Sequence, residues 1–126
     1  MRGNGRNHNF VIQTRQKDDI LFSRSSDGVP IAAGESFEFK VRRVMGYSQI
    51  RFLAIAEAGF TIHVLEAIDS GGPFVETDTL TSAASPGGQQ VVCENIEPCG
   101  SFMKLILENT GGGPQAPALQ ALGHPV

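Results

Sequence analysis

The sequence predicts an all-β protein: a single antiparallel β-sandwich, of the jelly-roll kind, with about eight strands, an extended N-terminal arm and a Gly/Pro-rich C-terminal tail. Three observations predict it. Apolar residues recur at every second position in short runs, the period of a strand with one buried face. Turn formers separate these runs at short intervals, and 15 glycines and 7 prolines stand among 126 residues. No segment carries the 3.6-residue period of an amphipathic helix. An immunoglobulin-like strand order is the alternative, but the chain has no tryptophan with which to complete the Cys…Trp…Cys pattern of antibody domains. A chain of this length makes one domain and buries enough surface to need neither metal nor disulfide for its core.

Each element has its own warrant. Residues 1–8 are polar, Gly-rich and basic, and read as a flexible arm. Residues 9–14 form a short strand with Phe10 and Ile12 on one face. Residues 19–23 form a second, around Ile20, Leu21 and Phe22, followed by the turn Ser25-Ser26-Asp27-Gly28, whose Asp-Gly pair is a hairpin signal. Residues 36–44 alternate most cleanly, Phe37, Phe39 and Val41 against Glu38, Lys40 and Arg42. Residues 49–57 place Ile50, Phe52, Ala54 and Ala56 on one face and Arg51, Leu53 and Ile55 on the other. With both faces largely apolar, this is a central strand or one covered by a neighbouring chain.

Gly59 turns the chain into residues 60–68, where Phe60, Ile62 and Val64 oppose Thr61, His63 and Leu65. After the turn Asp69-Ser70-Gly71-Gly72-Pro73 come a Thr-rich strand at 74–80, a loop at 82–88, and strands at 89–96 and 101–109. Residues 110–126 read as an extended tail. Gly111-Gly112-Gly113-Pro114 makes a flexible linker, Pro117, Gly123 and Pro125 prevent a regular helix, and Leu119, Leu122 and Val126 give it apolar anchors. The expected organisation is an arm at 1–8, the sandwich at 9–109 and the tail at 110–126.

Charge is divided along the chain. Residues 1–51 hold nine of the ten basic side chains and five acids; residues 52–126 hold Lys104 and eight acids. The first seventeen residues contain Arg2, Arg6, Arg15 and Lys17 and no acid. A basic front and an acidic back attract copies of the chain head to tail, or lay the front on an acidic surface. The competing reading is a solvated basic arm on an ordinary β-domain. No apolar run approaches the roughly 18 residues of a membrane span. Asn7, His8 and Asn9 stand where a signal peptide needs its apolar stretch, so a product made and kept in the cytosol is expected.

No catalytic or cofactor motif is present, and the expectation is neither enzyme, cofactor nor metal. His8 and His124 lie in the terminal segments; His63 alternates outward with no nucleophile or carboxylate placed beside it by any signature, so it reads as a surface or interface histidine. Asp18, Asp19, Glu66, Asp69, Glu76 and Asp78 are loop and strand acids of the kind calcium takes, without the EF-hand pattern; solvated acids are the plainer reading. The triple glycine lacks the Lys-Ser/Thr of a phosphate loop. Arg42, Arg43 and Arg51 around Tyr47 could meet nucleic acid, but pI ≈ 5.5 and a single tyrosine favour subunit–subunit salt bridges. Cys93 and Cys99 are spaced for neither zinc nor a redox CxxC; reduced, packed thiols are expected, with a Cys93–Cys99 disulfide as the alternative in an oxidising compartment.

In layout, the basic arm at 1–8, the compact strand set from Phe10 to Asn109, the hairpin at Gly59 and the Gly/Pro tail from Gly111 together resemble the small β-sandwich decoration, or head-cement, proteins of tailed bacteriophages. The resemblance covers nearly the whole chain and rests on no diagnostic residue. It implies a virion protein, assembled in the host cytoplasm, that forms homo-oligomers such as trimers and staples a lattice of major capsid protein. It implies no catalytic residues, membrane or nucleic acid. The expected interface residues are Arg2, Arg6, Phe10, Ile12, Arg15, Lys17, Arg42, Arg43, Leu119 and Leu122. A carbohydrate- or cell-surface-binding jelly roll, or an extracellular β-rich filament subunit, is the alternative.

Overall fold

The computed structural model describes residues 17–126, and among these there are ten strands and no helix. In chain order they are β1 (Asp19–Arg24), β2 (Ser36–Glu38), β3 (Arg42–Arg43), β4 (Tyr47–Ala56), β5 (Phe60–Ala67), β6 (Val75–Thr81), β7 (Ala83–Ala84), β8 (Gln90–Ile96), β9 (Phe102–Asn109) and β10 (Ala118–Pro125). One sheet has the order β1-β10-β4-β8-β7; the other has β2-β9-β5-β6, with β3 also paired to β9. Every pairing is antiparallel.

The pairing follows one rule: first strand with last, second with last but one, and so inward to the β5–β6 hairpin. Count β2 and β3 as one interrupted strand along β9, and β7 as a short extension beside β8. Eight principal strands then run 1-8-3-6 in one sheet and 2-7-4-5 in the other. That is a jelly roll, one long antiparallel ribbon rolled on itself so that its edges are few and its two inner faces meet. The immunoglobulin-like order is excluded.

The core lies between those inner faces. Ile50, Phe52 and Ala54 of β4 meet Phe60, Ile62 and Val64 of β5 and Met103, Leu105 and Leu107 of β9, all without exposed surface. Phe39 and Phe22 close one side edge-to-face at 5.9 Å. Burying whole side chains of this kind contributes roughly 1.5–3 kcal/mol each, which is why the β4, β5 and β9 alternations dictate the structure.

Three expectations need correction. First, residues 110–126 are not a tail. Their strand β10 lies between β1 and β4, and Leu119, 3% exposed, belongs to the chain's own core rather than to an interface. The jelly roll needs a last strand to pair the first, and Gly123 belongs there because a Cβ would stand 2.6 Å from the Tyr47 ring and 2.8 Å from Leu21. The linker before it is held by side-chain amides. Asn109, fully buried, donates to the Ile31 and Gly113 carbonyls and accepts from the Gly111 N–H; Gln115 bridges Asn109 to Ala58 and Gly59.

Second, Asp27-Gly28 turns the chain, with the Gly28 N–H donating to the Ser25 carbonyl at 3.0 Å, but closes no hairpin. It leads from β1 across to β2 in the other sheet. Third, residues 36–44 are not one strand. The register slips by one residue between Glu38↔Ile106 and Arg42↔Met103, so Val41 leaves the face on which Phe39 is buried; Phe37, ahead of the slip, is 40% exposed on the edge strand. Such a bulge on an edge strand re-aims side chains and discourages further pairing. The strand expected at 9–14 and the arm at 1–8 lie outside the described residues.

Candidate functional site

The rolling that makes the fold also redistributes charge. Because β1, β2/β3 and β4 from the basic half pair with β10, β9 and β8 from the acidic half, the two halves interleave among the described residues. Lys104 on β9 meets Glu38 on β2 at 3.3 Å and sits 4.9 Å over the Phe74 ring.

The outer face of the β2-β9-β5-β6 sheet is built around His63. Its Nδ1 is 2.9 Å from Glu76 Oε2 on β6 and its Nε2 is 2.9 Å from Glu108 Oε1 on β9. Both ring nitrogens point at carboxylates, an arrangement that satisfies every partner when the ring is the doubly protonated imidazolium. The hydrogen bonds to Glu76 and then Glu108 raise the pKa of His63 above its ordinary value, outweighing the opposing effect of burial. The hydroxyl of Thr79 and then His63 hold Glu76 below the ordinary carboxylate range. Through these two contacts the His63 ring links β5 to β6 and β9, so the cluster clasps three strands. No local pattern in the sequence puts a carboxylate near His63, because its partners stand 13 and 45 residues away and only sheet register unites them.

A second polar centre closes one end of the sandwich. Glu66 is 3% exposed, yet its carboxylate accepts the Cys99 N–H at 2.7 Å, the Gly100 N–H at 2.8 Å and the Thr77 hydroxyl. A buried carboxylate is tolerated when its lone pairs are occupied in this way. Asp18 is bound to His124 at 2.9 Å, and Asp19 accepts from the Tyr47 hydroxyl at 2.6 Å, which raises the tyrosine's pKa. The acids considered for calcium are therefore dispersed among separate partners. Among the described residues no group of three or more His, Cys, Asp or Glu is arranged to hold a metal.

The outer face of the β1-β10-β4-β8 sheet is different. Beyond the polar pair Gln49 and His124 at one end, three cross-strand rows cover it. Ile20, Leu122, Arg51 and Asn95 form one; Gln120, Leu53 and Cys93 the next; Ala118, Ile55 and Val91 the third. Leu53, in the middle of the central strand, is 44% exposed and Ile20 is 57% exposed. The two faces of β4 are apolar because one packs the core while the other is left open. Beside the first row is a depression of about 210 Å³ lined by Asp18, Gln49, Arg51, Asn95, Leu122 and His124. A larger cleft of about 520 Å³ lies where the strands end near Glu57 and Gln115. The Gln115 amide there is already spent on Ala58, Gly59 and Asn109, and no aromatic ring lines it.

Of the expected interface residues, Arg2, Arg6, Phe10, Ile12 and Arg15 lie outside the described residues, and Lys17 is exposed. Arg42 faces inward at the open side of the sandwich and donates to the Leu21 carbonyl at 2.6 Å, tying β3 to β1. Arg43 points away beside Met45, and Arg51 is on the opposite sheet, so the three arginines form no common patch. Leu122 is half-buried on the open face. Cys93 and Cys99 are both free and both exposed, Cys93 opposite Leu53 and Cys99 beside Glu97, so they are neither bridged nor packed.

No protein family and no curated protein matches the sequence. The fold is that of a jelly-roll β-sandwich, and solved structures share its backbone course. One is the PBSX exported protein XepA, with a TM-score of 0.65 and 13% identity over 87% of this chain and 37% of that one. This chain thus spans a little over a third of XepA's length, and at that identity the likeness is one of fold. PirA matches more loosely, with a TM-score of 0.47 and 8% identity over 88% of this chain and 99% of that one, and carries no argument. No helix among the described residues is long and apolar enough to cross a membrane.

Proposed function

We propose that this chain is a non-enzymatic structural assembly protein of the virion decoration or cement kind. It binds copies of itself and a larger protein lattice through the open face of the β1-β10-β4-β8 sheet, and its basic N-terminal segment supplies a further electrostatic contact. The observation that carries the reading is Leu53, 44% exposed at the centre of the sheet's middle strand, with Gln120 and Cys93 directly across from it, the Ala118–Ile55–Val91 row on one side and the Ile20–Leu122–Arg51 row on the other. A contiguous apolar face on a folded domain is the usual mark of a protein–protein contact. On the other sheet the central outward positions are occupied by the His63–Glu76–Glu108 cluster, and its exposed apolar residues, Val75 and Ile68, lie at one edge beside a depression of about 290 Å³. XepA is described as exported, which keeps an extracellular placement as the alternative to the virion. The carbohydrate-binding alternative has less support, because no Phe, Tyr or Trp lines the two clefts described above and sugar rings are commonly held by stacking on such side chains.

The test is the native mass of the full-length protein by light scattering, at low and high salt. A trimer or larger assembly is expected, dispersed to monomer by Leu53→Lys and weakened by removal of residues 1–8. A wild-type monomer at every concentration, with no binding to any capsid shell offered, would sink the proposal.

A further inference from the structure

We propose that the depression around Arg51 is a carboxylate-recognition site, filled by an aspartate or glutamate side chain of the partner protein. The inference deepens the assembly reading and rests on it for the identity of the partner.

Arg51 is an outward residue of β4, directly opposite Leu122 on β10 and Asn95 on β8. Gln49, two residues back on the same face, stands opposite His124. These side chains and Asp18 line one depression of about 210 Å³, room for a single side-chain head group rather than for a polymer. The ion pairs among the described residues are His63–Glu76, His63–Glu108, Lys104–Glu38 and His124–Asp18. Arg51 therefore has no carboxylate partner there, and the one acid lining the depression is taken by His124.

The chemistry of the lining selects the ligand. A guanidinium offers a planar fork of N–H donors that matches a carboxylate in two parallel hydrogen bonds. The carboxamides of Gln49 and Asn95 add neutral donors on either side. Leu122, opposite Arg51, gives the depression an apolar wall suited to the methylene stem of a glutamate or aspartate. The chain's own preceding segment cannot supply the group, because its first seventeen residues contain no acid. Within the docking face, Leu53 then provides non-directional contact, and Arg51, one row away, provides orientation and selectivity, the division of labour usual between apolar and charged parts of an interface.

The test uses full-length ¹⁵N-labelled protein and three probes: a blocked Gly-Glu-Gly peptide, the matching Gly-Gln-Gly peptide, and glucuronate. Side-chain resonances of Arg51, Asn95 and Gln49 are followed by NMR, with native mass measured in parallel. The glutamate peptide should shift all three groups, bind about tenfold more tightly than the glutamine peptide, and lose its effect in Arg51→Gln. Equal response to both peptides, no response at Arg51, or tighter binding of glucuronate than of the glutamate peptide would each overturn the proposal. The two readings separate cleanly. If Leu53→Lys abolishes assembly while the glutamate peptide ignores Arg51, the docking face stands and the carboxylate site falls. If the peptide binds Arg51 but Leu53→Lys leaves the native mass of a wild-type assembly unchanged, the reverse holds.

Discussion

The two outer faces of this sandwich have the same backbone beneath them and opposite chemistry above. On the β2-β9-β5-β6 sheet, the charged outward side chains at the centre find partners within the chain, His63 with Glu76 and Glu108, Lys104 with Glu38 and the Phe74 ring, while Val75 is exposed at the β6 edge. On the β1-β10-β4-β8 sheet, Leu53, Ile55, Leu122, Ile20 and Arg51 stand in rows that end in solvent. Inner faces determine whether the domain folds; outer faces determine what it does. A face whose polar groups are mutually satisfied gains little from a partner, whereas an apolar face with one unpaired cation gains from contact.

Substitutions that break this contrast can be ordered by their expected effect on stability. The largest is Glu66→Ala, which leaves the Cys99 and Gly100 amides and the Thr77 hydroxyl without an acceptor at the closed end. A cost of about 2–4 kcal/mol in urea unfolding is expected, and a loss below about 0.5 kcal/mol would mean that solvent replaces the carboxylate. Next comes Gly123→Ala, whose new Cβ would meet the Tyr47 ring at 2.6 Å and Leu21 at 2.8 Å. Overpacking of this kind costs about 1–3 kcal/mol. An unchanged melting temperature would argue that β10 does not occupy its place between β1 and β4.

The His63 clasp has a smaller and pH-dependent effect. Its raised pKa means that its contribution is complete below the ordinary histidine value of 6.5 and is lost as pH rises through the folded pKa. The lowered pKa of Glu76 works in the other direction: its contribution is present above 4.5 and is lost as pH falls through its own folded value. Both therefore act together between about pH 4.5 and 6.5. The pairs are partly exposed, so solvent screening holds the effect of His63→Gln to within about 1 kcal/mol. Thermal unfolding at pH 5.5 and pH 8.5 checks it: the wild type should lose more stability across that interval than the variant, and parallel curves would dismiss the clasp.

Smallest in stability is Leu53→Lys, expected to fall within about 0.5 kcal/mol of wild type because the site is open. The same substitution should nevertheless disperse an assembly. A destabilisation comparable to a core mutant would instead mean that the face is already covered within the chain. Cys93, opposite Leu53, extends the contrast: a maleimide should label it in the monomer and be excluded in an assembly, while Cys99 stays reactive in both.

Much of the fold is legible in the sequence, for reasons that belong to particular elements. The strands at Phe60–Ala67 and Phe102–Asn109 alternate so regularly that their buried faces can be read directly. The double apolarity of β4 identifies both a central strand and an open face. β10 is obscured because Pro117, Gly123 and Pro125 lower its apparent strand propensity. Yet Pro117 precedes the strand, Pro125 ends it, and Gly123 is required by the Tyr47 ring pressed against it. The His63 cluster and the Arg51 depression are invisible for a different cause. Neither has a motif, since their members come from three or more strands and meet through register alone.

By itself the sequence determined most of the strands, which face of each is apolar, where the chain turns, and that no helix would form among the described residues. These follow from side-chain alternation and turn chemistry, which act over a few residues. Only the tertiary structure decided that the last strand pairs with the first, that the basic and acidic halves interleave, and that one outer face is closed by ion pairs while the other stays open. Those outcomes depend on which strands become neighbours, and strand pairing is settled by burying all the inner faces at once, a condition no local stretch of sequence contains.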